Sequence, residues 1–419
     1  MNIYLLSIFS LLRKNFFVRQ VENLILSRVN KFSDMNWIWF LIIIGIFWIF
    51  LYLISKQFGL SKYGIIVAPF ILIIKTTKLN KAIEKISLKY QKEFTLLFKI
   101  GTYLYYILLI ISLTGLSINI IHHFFFSKSE SVGLVPLIPG ITLSLKRFVY
   151  FIFPLSIALL AHEIAHGIAA INEKISVKGI GIFIFLIMLI AAFVELDQGE
   201  LEKSDKNSRK RVYAAGITAN ILLATLFVPL IGVNNIFTSQ FYEQGDGILV
   251  VGVRTDSPAE KAGIKEGIVI IGILITKNNS YIQTPTVEKL VFVMNSLENG
   301  EIIIILTLEQ QNYTLVTPPS TPVKNSIDGG RFGLLLFQYM KPKYSFLSPK
   351  LPYIIQEEIF LTINLNLVLA LINVLPIIVF DGGKFLYLVA EGSPNRKKLF
   401  NLLQLLSLVL IVLNVFISF

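Results

Sequence analysis

Long apolar stretches recur along this chain and constrain its fold more than any other feature. A helix that crosses a bilayer needs about 20 mostly apolar residues. The chain is 54% hydrophobic and only 15% charged, whereas soluble domains carry about a quarter charged residues. We therefore predict an α-helical polytopic membrane protein. The seven predicted spans are residues 37–54, 63–74, 96–121, 148–171, 213–231, 359–388 and 399–419.

Three of the apolar stretches are irregular. The stretch 63–74 is short and contains Pro69, and we pair it with the first span as a helical hairpin. The late span 359–388 contains Pro376, which predicts a break in the helix. Residues 179–196 are rich in β-branched residues and glycine, which favours a membrane-dipping β-hairpin or loop over a spanning helix.

The net charge of +12 is concentrated in short basic stretches between apolar ones, at 75–92, 203–211 and 396–398. No basic face with interleaved aromatic residues is evident, so we expect the lipid bilayer as a partner and no nucleic acid. The positive-inside rule places the three basic loops in the cytosol of a multi-pass protein of the cell membrane. With seven spans, the amino terminus is then cytosolic and the carboxyl terminus faces outward.

The composition changes between residues 245 and 342, where short β-branched runs alternate with Gly, Asn, Asp, Ser and Pro. This pattern predicts a soluble mixed α/β domain, which the charge rule places outside the cytosol. Ser257 is expected to cap a short helix in it. The predicted domains are an amino-terminal membrane region with three spans (1–147), two halves of a membrane core (148–244 and 343–419), and this insert (245–342).

His162, Glu163 and His166 form a His-Glu-x-x-His motif inside an otherwise apolar helix. The i, i+4 spacing places both imidazoles on one helix face, where they can bind one zinc ion with Glu163 beside it as a proton acceptor. A chance match is the alternative, but burying these polar groups in a membrane span is expensive without a functional reason. The chain has no cysteine, so a further ligand must be a histidine or a carboxylate.

A catalytic zinc site usually has three protein ligands and an open position. Asp381 is the candidate third ligand, because it is the acidic residue of the broken late span and is followed by two glycines. Unwound backbone at membrane depth is tolerated where it lines a cavity that contains water. The alternative is a carboxylate at a helix end near the membrane surface.

The motif of residues 162–167 on one span, together with the Asn-x-x-Pro-x-x-x-x-Asp-Gly-Gly motif of residues 373–383 on a later one, resembles the paired signature of the site-2 protease family. Residues 216–220 resemble its Gly-x-x-x-Asn motif, although Ile217 and Phe380 replace the usual proline and leucine. The resemblance covers about 148–419. It implies zinc ligands at His162, His166 and Asp381, and a general base at Glu163. It also implies substrate-binding groups at Asn220 and Asn373, with interhelical hydrogen bonding as the alternative role.

The soluble insert resembles a PDZ domain of the type found in bacterial proteases. The resemblance depends on the strand-like residues 247–253 and on the Ser-Pro-Ala-Glu-Lys-Ala-Gly-Ile run of residues 257–264, with Ile268 in place of the usual aspartate. Such domains bind an extended peptide at a sheet edge. The alternative is a spacer that only blocks access.

The resemblance implies an intramembrane zinc metalloprotease that hydrolyses peptide bonds in or near transmembrane segments of membrane-protein substrates, in regulated intramembrane proteolysis. Two alternatives remain, a metal transporter and a catalytically inactive membrane scaffold. A transporter has no need of a base beside the ligands, and a scaffold would be free to lose the ligands and the base.

Overall fold

The computed structural model describes residues 37–125, 134–135, 145–185, 189–254, 256–319 and 330–417. The chain divides into two compact units. The sheet unit consists of Pro229–Glu357, and the helical unit contains the remaining described residues.

Eleven helices occur within the described ranges. They are α1 Trp37–Gln57, α2 Asn80–Lys89, α3 Gln91–Phe125, α4 Leu145–Asn172, α5 Gln198–Lys203, α6 Lys206–Phe241, α7 Pro258–Lys261, α8 Val287–Ser296, α9 Leu351–Asn373, α10 Asp381–Ala390 and α11 Pro394–Phe416. Five of them, α3, α4, α6, α9 and α11, are long and apolar enough to cross a membrane. These five helices confirm a multi-pass membrane protein.

Ten strands form two sheets within the same ranges. They are β1 Ile65–Ala68, β2 Ile71–Thr76, β3 Val177–Phe185, β4 Leu189–Leu196, β5 Tyr242–Val253, β6 Val269–Ile275, β7 Ser280–Gln283, β8 Ile302–Thr307, β9 Tyr313–Val316 and β10 Leu334–Pro342. The helical unit holds a sheet of order β1-β2-β3-β4, and the sheet unit holds one of order β10-β5-β6-β8-β9 with β7 paired to β6. All the pairings are antiparallel.

The predicted span at 63–74 is wrong, because this segment forms the β1–β2 hairpin. Its two β-branched runs are separated by Pro69 and Phe70, and Phe70 has a left-handed φ of 60° that fits a turn. Strand β2 continues the sheet by pairing with β3, with Ile71 opposite Phe185. The predicted β-hairpin at 179–196 is confirmed as β3 and β4. Pairing with a strand that is distant in the chain therefore satisfies the backbone hydrogen bonds of a segment that the sequence analysis assigned to a helix.

The basic stretches lie together at one end of the helical unit. Arg209 at the start of α6 contacts Glu391 after α10, with 3.6 Å between the charged groups. Lys99 in the early turns of α3, just after the stretch 75–92, lines one cavity with Lys210 in the early turns of α6. The amino terminus, which the sequence analysis placed in the cytosol, lies outside the described residues. That placement depended on counting residues 63–74 as a membrane crossing, and this segment forms the β1–β2 hairpin instead.

The predicted break in the late span is confirmed, since α9 ends at Asn373 and α10 begins at Asp381. The intervening loop folds back over the first turn of α10. A Cβ on Gly382 would lie 2.6 Å from the carbonyl oxygen of Asn373, and one on Gly383 would lie 2.6 Å from the amide nitrogen of Ile378. Both glycines are therefore needed for this close approach.

The sheet unit has its own apolar core. Residues of β5, β6, β8 and α8 contribute to it, among them Ile248, Ile270, Leu290 and Ile303. The hydroxyl oxygen of Ser257 accepts the backbone N–H of Glu260 at 3.2 Å, so the predicted helix cap is confirmed. The predicted strand at 247–253 is part of β5.

Candidate metal centre

Helix α4 positions the His-Glu-x-x-His motif as the spacing predicts. His162 and His166 are buried, with only 6% and 8% of their surfaces exposed. Their Nε2 atoms lie 3.2 Å apart, one helical turn from each other on the same face. Two imidazole nitrogens therefore converge on one point inside the helical unit.

Asp381 joins this pair from the first residue of α10. Its Oδ2 atom lies 2.9 Å from Nε2 of His162 and 3.0 Å from Nε2 of His166. The aspartate is also buried. The break between α9 and α10 thus brings the third predicted ligand to residues more than 200 positions earlier in the chain.

The three side chains fit a bound metal ion by chemistry and by spacing. Zinc in proteins is held by histidine nitrogen and carboxylate oxygen at about 2.0–2.2 Å, which in a tetrahedral site places ligand atoms about 3.3 Å apart. The observed separations of 2.9–3.2 Å are close to that value. Gly216 on α6 lines the site, and a Cβ there would lie 2.6 Å from Nε2 of His166. The glycine leaves open the space in front of the ligand atoms.

His166 is held in the orientation that metal binding requires. Its Nδ1 atom lies 2.8 Å from the carbonyl oxygen of Val212 on α6. A carbonyl only accepts, so Nδ1 carries the proton and donates, and Nε2 keeps its lone pair. Such a contact to the second ring nitrogen is the usual partner of a metal-bound histidine.

Asn220 contacts the other histidine. Its amide nitrogen is placed 3.2 Å from Nδ1 of His162, while its Oδ1 atom is buried without a hydrogen-bond partner among the described residues. With the amide nitrogen and oxygen exchanged, Oδ1 accepts the proton of Nδ1, and Nε2 of His162 keeps the lone pair that a metal ligand needs. The geometry therefore gives Asn220 a partner in His162.

Glu163 lies beside the cluster and contacts strand β4. Its Oε2 atom accepts the backbone N–H of Val194 at 2.9 Å. Val194 pairs with Ile180 on β3, and this N–H points to the outer edge of the sheet. Sequence analysis missed Val194, because a backbone donor has no residue signature; the signal available was the apolar strand pattern of 179–196.

A cavity of about 320 Å³ opens beside the cluster. Glu163, His166 and Asp381 line it together with Phe193 and Val194 of β4. Lys384 also lines it, and its ammonium nitrogen lies 3.4 Å from Oδ1 of Asp381. Sequence analysis missed Lys384, although its position three residues after Asp381 on α10 places it on the same face as the aspartate.

Asn373, the second predicted substrate-binding residue, is the last residue of α9. Its backbone carbonyl lies beside Gly382, close to the metal cluster. Its side chain makes no hydrogen bond within the described ranges, so a role for this amide remains a prediction.

Comparison with known proteins agrees with this arrangement. The model of the family described as Peptidase family M50 matches residues 150–414. An uncharacterised protein of Methanocaldococcus jannaschii is 27% identical over 370 residues, covering 86% of this chain and 87% of the relative. A membrane-bound transcription factor site-2 protease homologue of Arabidopsis thaliana is 25% identical over 185 residues, covering 44% of this chain and 36% of the relative. The matched region contains the metal cluster, Glu163 and nearly all of the spanning helices α4, α6, α9 and α11. The chain therefore belongs to peptidase family M50, the site-2 protease family of membrane metalloproteases.

Proposed function

We propose that this protein is an intramembrane zinc metalloprotease that hydrolyses peptide bonds in or near transmembrane segments of membrane-protein substrates. One observation carries the proposal. His162, His166 and Asp381 converge at 2.9–3.2 Å in the helical unit, with Glu163 beside them. Family membership supports the same reaction class.

His162, His166 and Asp381 are the proposed zinc ligands. When bound, zinc supplies Lewis acidity, which polarises a peptide carbonyl and makes water a nucleophile near neutral pH. Glu163 is the proposed general base. Its Oε2 atom is held by the N–H of Val194, whereas its Oε1 atom receives no hydrogen bond from the described residues and is available to accept a proton from water.

The outer edge of β4 is the proposed guide for the substrate. Phe193, Val194 and Leu196 of this strand line the cavity beside the metal cluster. An extended peptide can add to a strand edge through backbone hydrogen bonds, here to outward groups of β4 other than the N–H of Val194, which Glu163 accepts. A substrate helix must unwind before its carbonyl groups become accessible, so segments with helix-weakening Gly or Pro should be cut more readily. Asn373 is proposed to hold the substrate backbone near this edge.

The two alternatives are less well supported by the site. A metal transporter needs ligands but no base beside them, and an inactive scaffold needs neither. Glu163 instead lies where a water molecule in the cavity could reach both its carboxylate and the ligand cluster. A cavity of about 320 Å³ is also small for a transport pathway but adequate for a peptide unit and water.

The sheet unit is proposed to be a PDZ-like domain that faces away from the cytosol and binds an extended peptide. Its antiparallel sheet, its capped helix α7 and its own apolar core support an independently folded module. The positive-inside rule, applied to basic stretches that share one end of the helical unit, supports this side of the cell membrane. Regulated intramembrane proteolysis is the proposed setting.

Cleavage of a tagged single-span model protein tests the proposed function. The purified full chain is incubated in lipid nanodiscs with two substrates, one carrying a Gly-Pro pair at mid-membrane and one carrying only leucine there. We expect cleavage of the first substrate, loss of cleavage with a zinc chelator, and recovery when zinc is added back. Cleavage that continues unchanged in chelator would contradict the proposal.

A further inference from the structure

A second open cavity of about 490 Å³ lies in the helical unit, away from the metal ligands. Helices α3, α6 and α10 form it. It is lined by Lys99, Lys210 and Arg211 together with Tyr103, Tyr106 and Phe385. It therefore combines basic and hydroxyl groups with aromatic rings.

The positive charge of this cavity is not neutralised by its own lining. No carboxylate lines it, and neither Lys99 nor Lys210 forms an ion pair within the described part of the chain. Arg211 differs, because its guanidinium makes a two-point contact with the carboxylate of Glu173. Two lysine charges are thus left to attract an anion.

The position of the cavity indicates an amphipathic ligand. Lys99 and Lys210 lie in the early turns of α3 and α6, at the end of the helical unit where the basic stretches gather. Tyr103 and Tyr106 are aromatic residues with polar tips, which are typical of the headgroup level of a membrane. Beyond Tyr106, Ile107 and Ile110 continue along α3, and each is more than half exposed.

We propose that this cavity binds the phosphate of an anionic phospholipid headgroup. Lys99 and Lys210 supply the charge, and Thr95, Thr102 and Asn207 supply further polar groups around the phosphate. The exposed apolar residues of α3 accommodate the acyl chains. Basic pockets between spanning helices on the cytoplasmic side bind anionic lipid headgroups in other membrane proteins.

The back wall of the cavity connects it to α10, the helix that carries Asp381. Phe385 lies one turn after Asp381 on α10, and its ring stacks on Tyr105 of α3 with 4.1 Å between centroids. The hydroxyl of Tyr105 donates to the carbonyl of Gly382 at 3.0 Å. A bound headgroup would therefore add a contact between the three helices that meet behind the metal centre.

Direct binding to the full chain tests the proposal. The purified protein in neutral detergent is titrated with short-chain phosphatidylglycerol or phosphatidylcholine, and bound lipid is counted by native mass spectrometry. We expect tighter binding of phosphatidylglycerol. Lys99→Gln and Lys210→Gln should each weaken it about fivefold, since a lysine near an anionic lipid contributes on the order of 1 kcal/mol.

A matched charge control separates a site from general attraction. Lys81→Gln with Lys85→Gln removes two charges, twice as many as either cavity variant, from exposed positions on α2 at the same end of the unit. We expect this double variant to bind phosphatidylglycerol like the unchanged protein, with melting temperature and metal content confirming that every variant is folded. Equal losses in the control and cavity variants would overturn the proposal. So would displacement of phosphatidylglycerol by equimolar inorganic phosphate, because the site would then be one for the free ion.

Discussion

Gly216 on α6 faces His162 on α4 at the point where the three proposed metal ligands converge. A Cβ added to this glycine would lie 2.5 Å from Cε1 of His162 and 2.6 Å from Nε2 of His166. Real Cβ atoms do not approach other heavy atoms so closely. The lack of a side chain at position 216 is therefore as necessary for the proposed metal centre as the two histidines on α4.

Gly216→Ala is expected to abolish high-affinity zinc binding while the helical unit stays folded. Alanine favours a helix over glycine by about 1 kcal/mol, so the loss would arise from the blocked site and not from a weakened helix. Zinc content by elemental analysis and helix content by circular dichroism measure the two effects. Gly232→Ala on the same helix is the control, because a Cβ there meets nothing within 4 Å. Full zinc occupancy in Gly216→Ala would refute this account of the site.

Asp381→Ala removes the proposed third ligand. Loss of an outer-shell partner typically lowers metal affinity about 10–100-fold, and loss of a ligand should lower it further. Competition with a chromophoric chelator gives the affinity. Asp246→Ala, an exposed carboxylate in the sheet unit, should leave the affinity unchanged. An unaltered affinity in Asp381→Ala would remove this residue from the metal centre.

Asn220 distinguishes an orienting role from a substrate-binding role. Asn220→Asp keeps an oxygen to accept the Nδ1 proton of His162, and should retain zinc affinity. Asn220→Leu keeps the approximate volume but removes the acceptor, and should lower zinc affinity about 10–100-fold. If both variants bind zinc normally and only the Michaelis constant for a model substrate rises, Asn220 acts on the substrate instead.

Glu163→Gln separates the proposed protease from a transporter or scaffold. Glutamine preserves the size of the side chain and can still accept the N–H of Val194, but it cannot take a proton from water. Zinc should remain bound, and cleavage should fall by the roughly 10²–10⁴-fold typical of a lost general base. Cleavage of a model substrate at the original rate would show that Glu163 is not the base.

The proposed sidedness can be read by cysteine labelling, because the natural chain contains no cysteine. Glu288→Cys lies on an exposed position of α8, and Lys203→Cys lies on an exposed position of α5. An impermeant maleimide applied to intact cells should label the first and spare the second. The reverse pattern would place the sheet unit in the cytosol.

The sequence alone identified the three residues proposed as metal ligands. The i, i+4 spacing of His162 and His166 fixes both rings on one helix face, which is a local property of any α-helix. Pro376 and the glycines after Asp381 likewise predicted the break between α9 and α10 from local backbone chemistry. The β3–β4 hairpin followed from the β-branched residues of 179–196. The long apolar runs predicted seven spans, and five of these are spanning helices within the described ranges.

Only the tertiary structure decided that residues 63–74 form strands and which groups surround the metal cluster. The backbone hydrogen bonds of an apolar run can form either within a helix or with a partner strand, and the apolar composition of the run does not distinguish the two. Here β2 pairs with β3, more than 100 residues later in the chain. The same holds for the bond from Val194 to Glu163 and for the open space at Gly216, since both depend on where another element packs. Local periodicity fixes which faces of an element are apolar, but the contacts that complete this site join elements distant in the chain and exist only once the helices and the sheet have packed together.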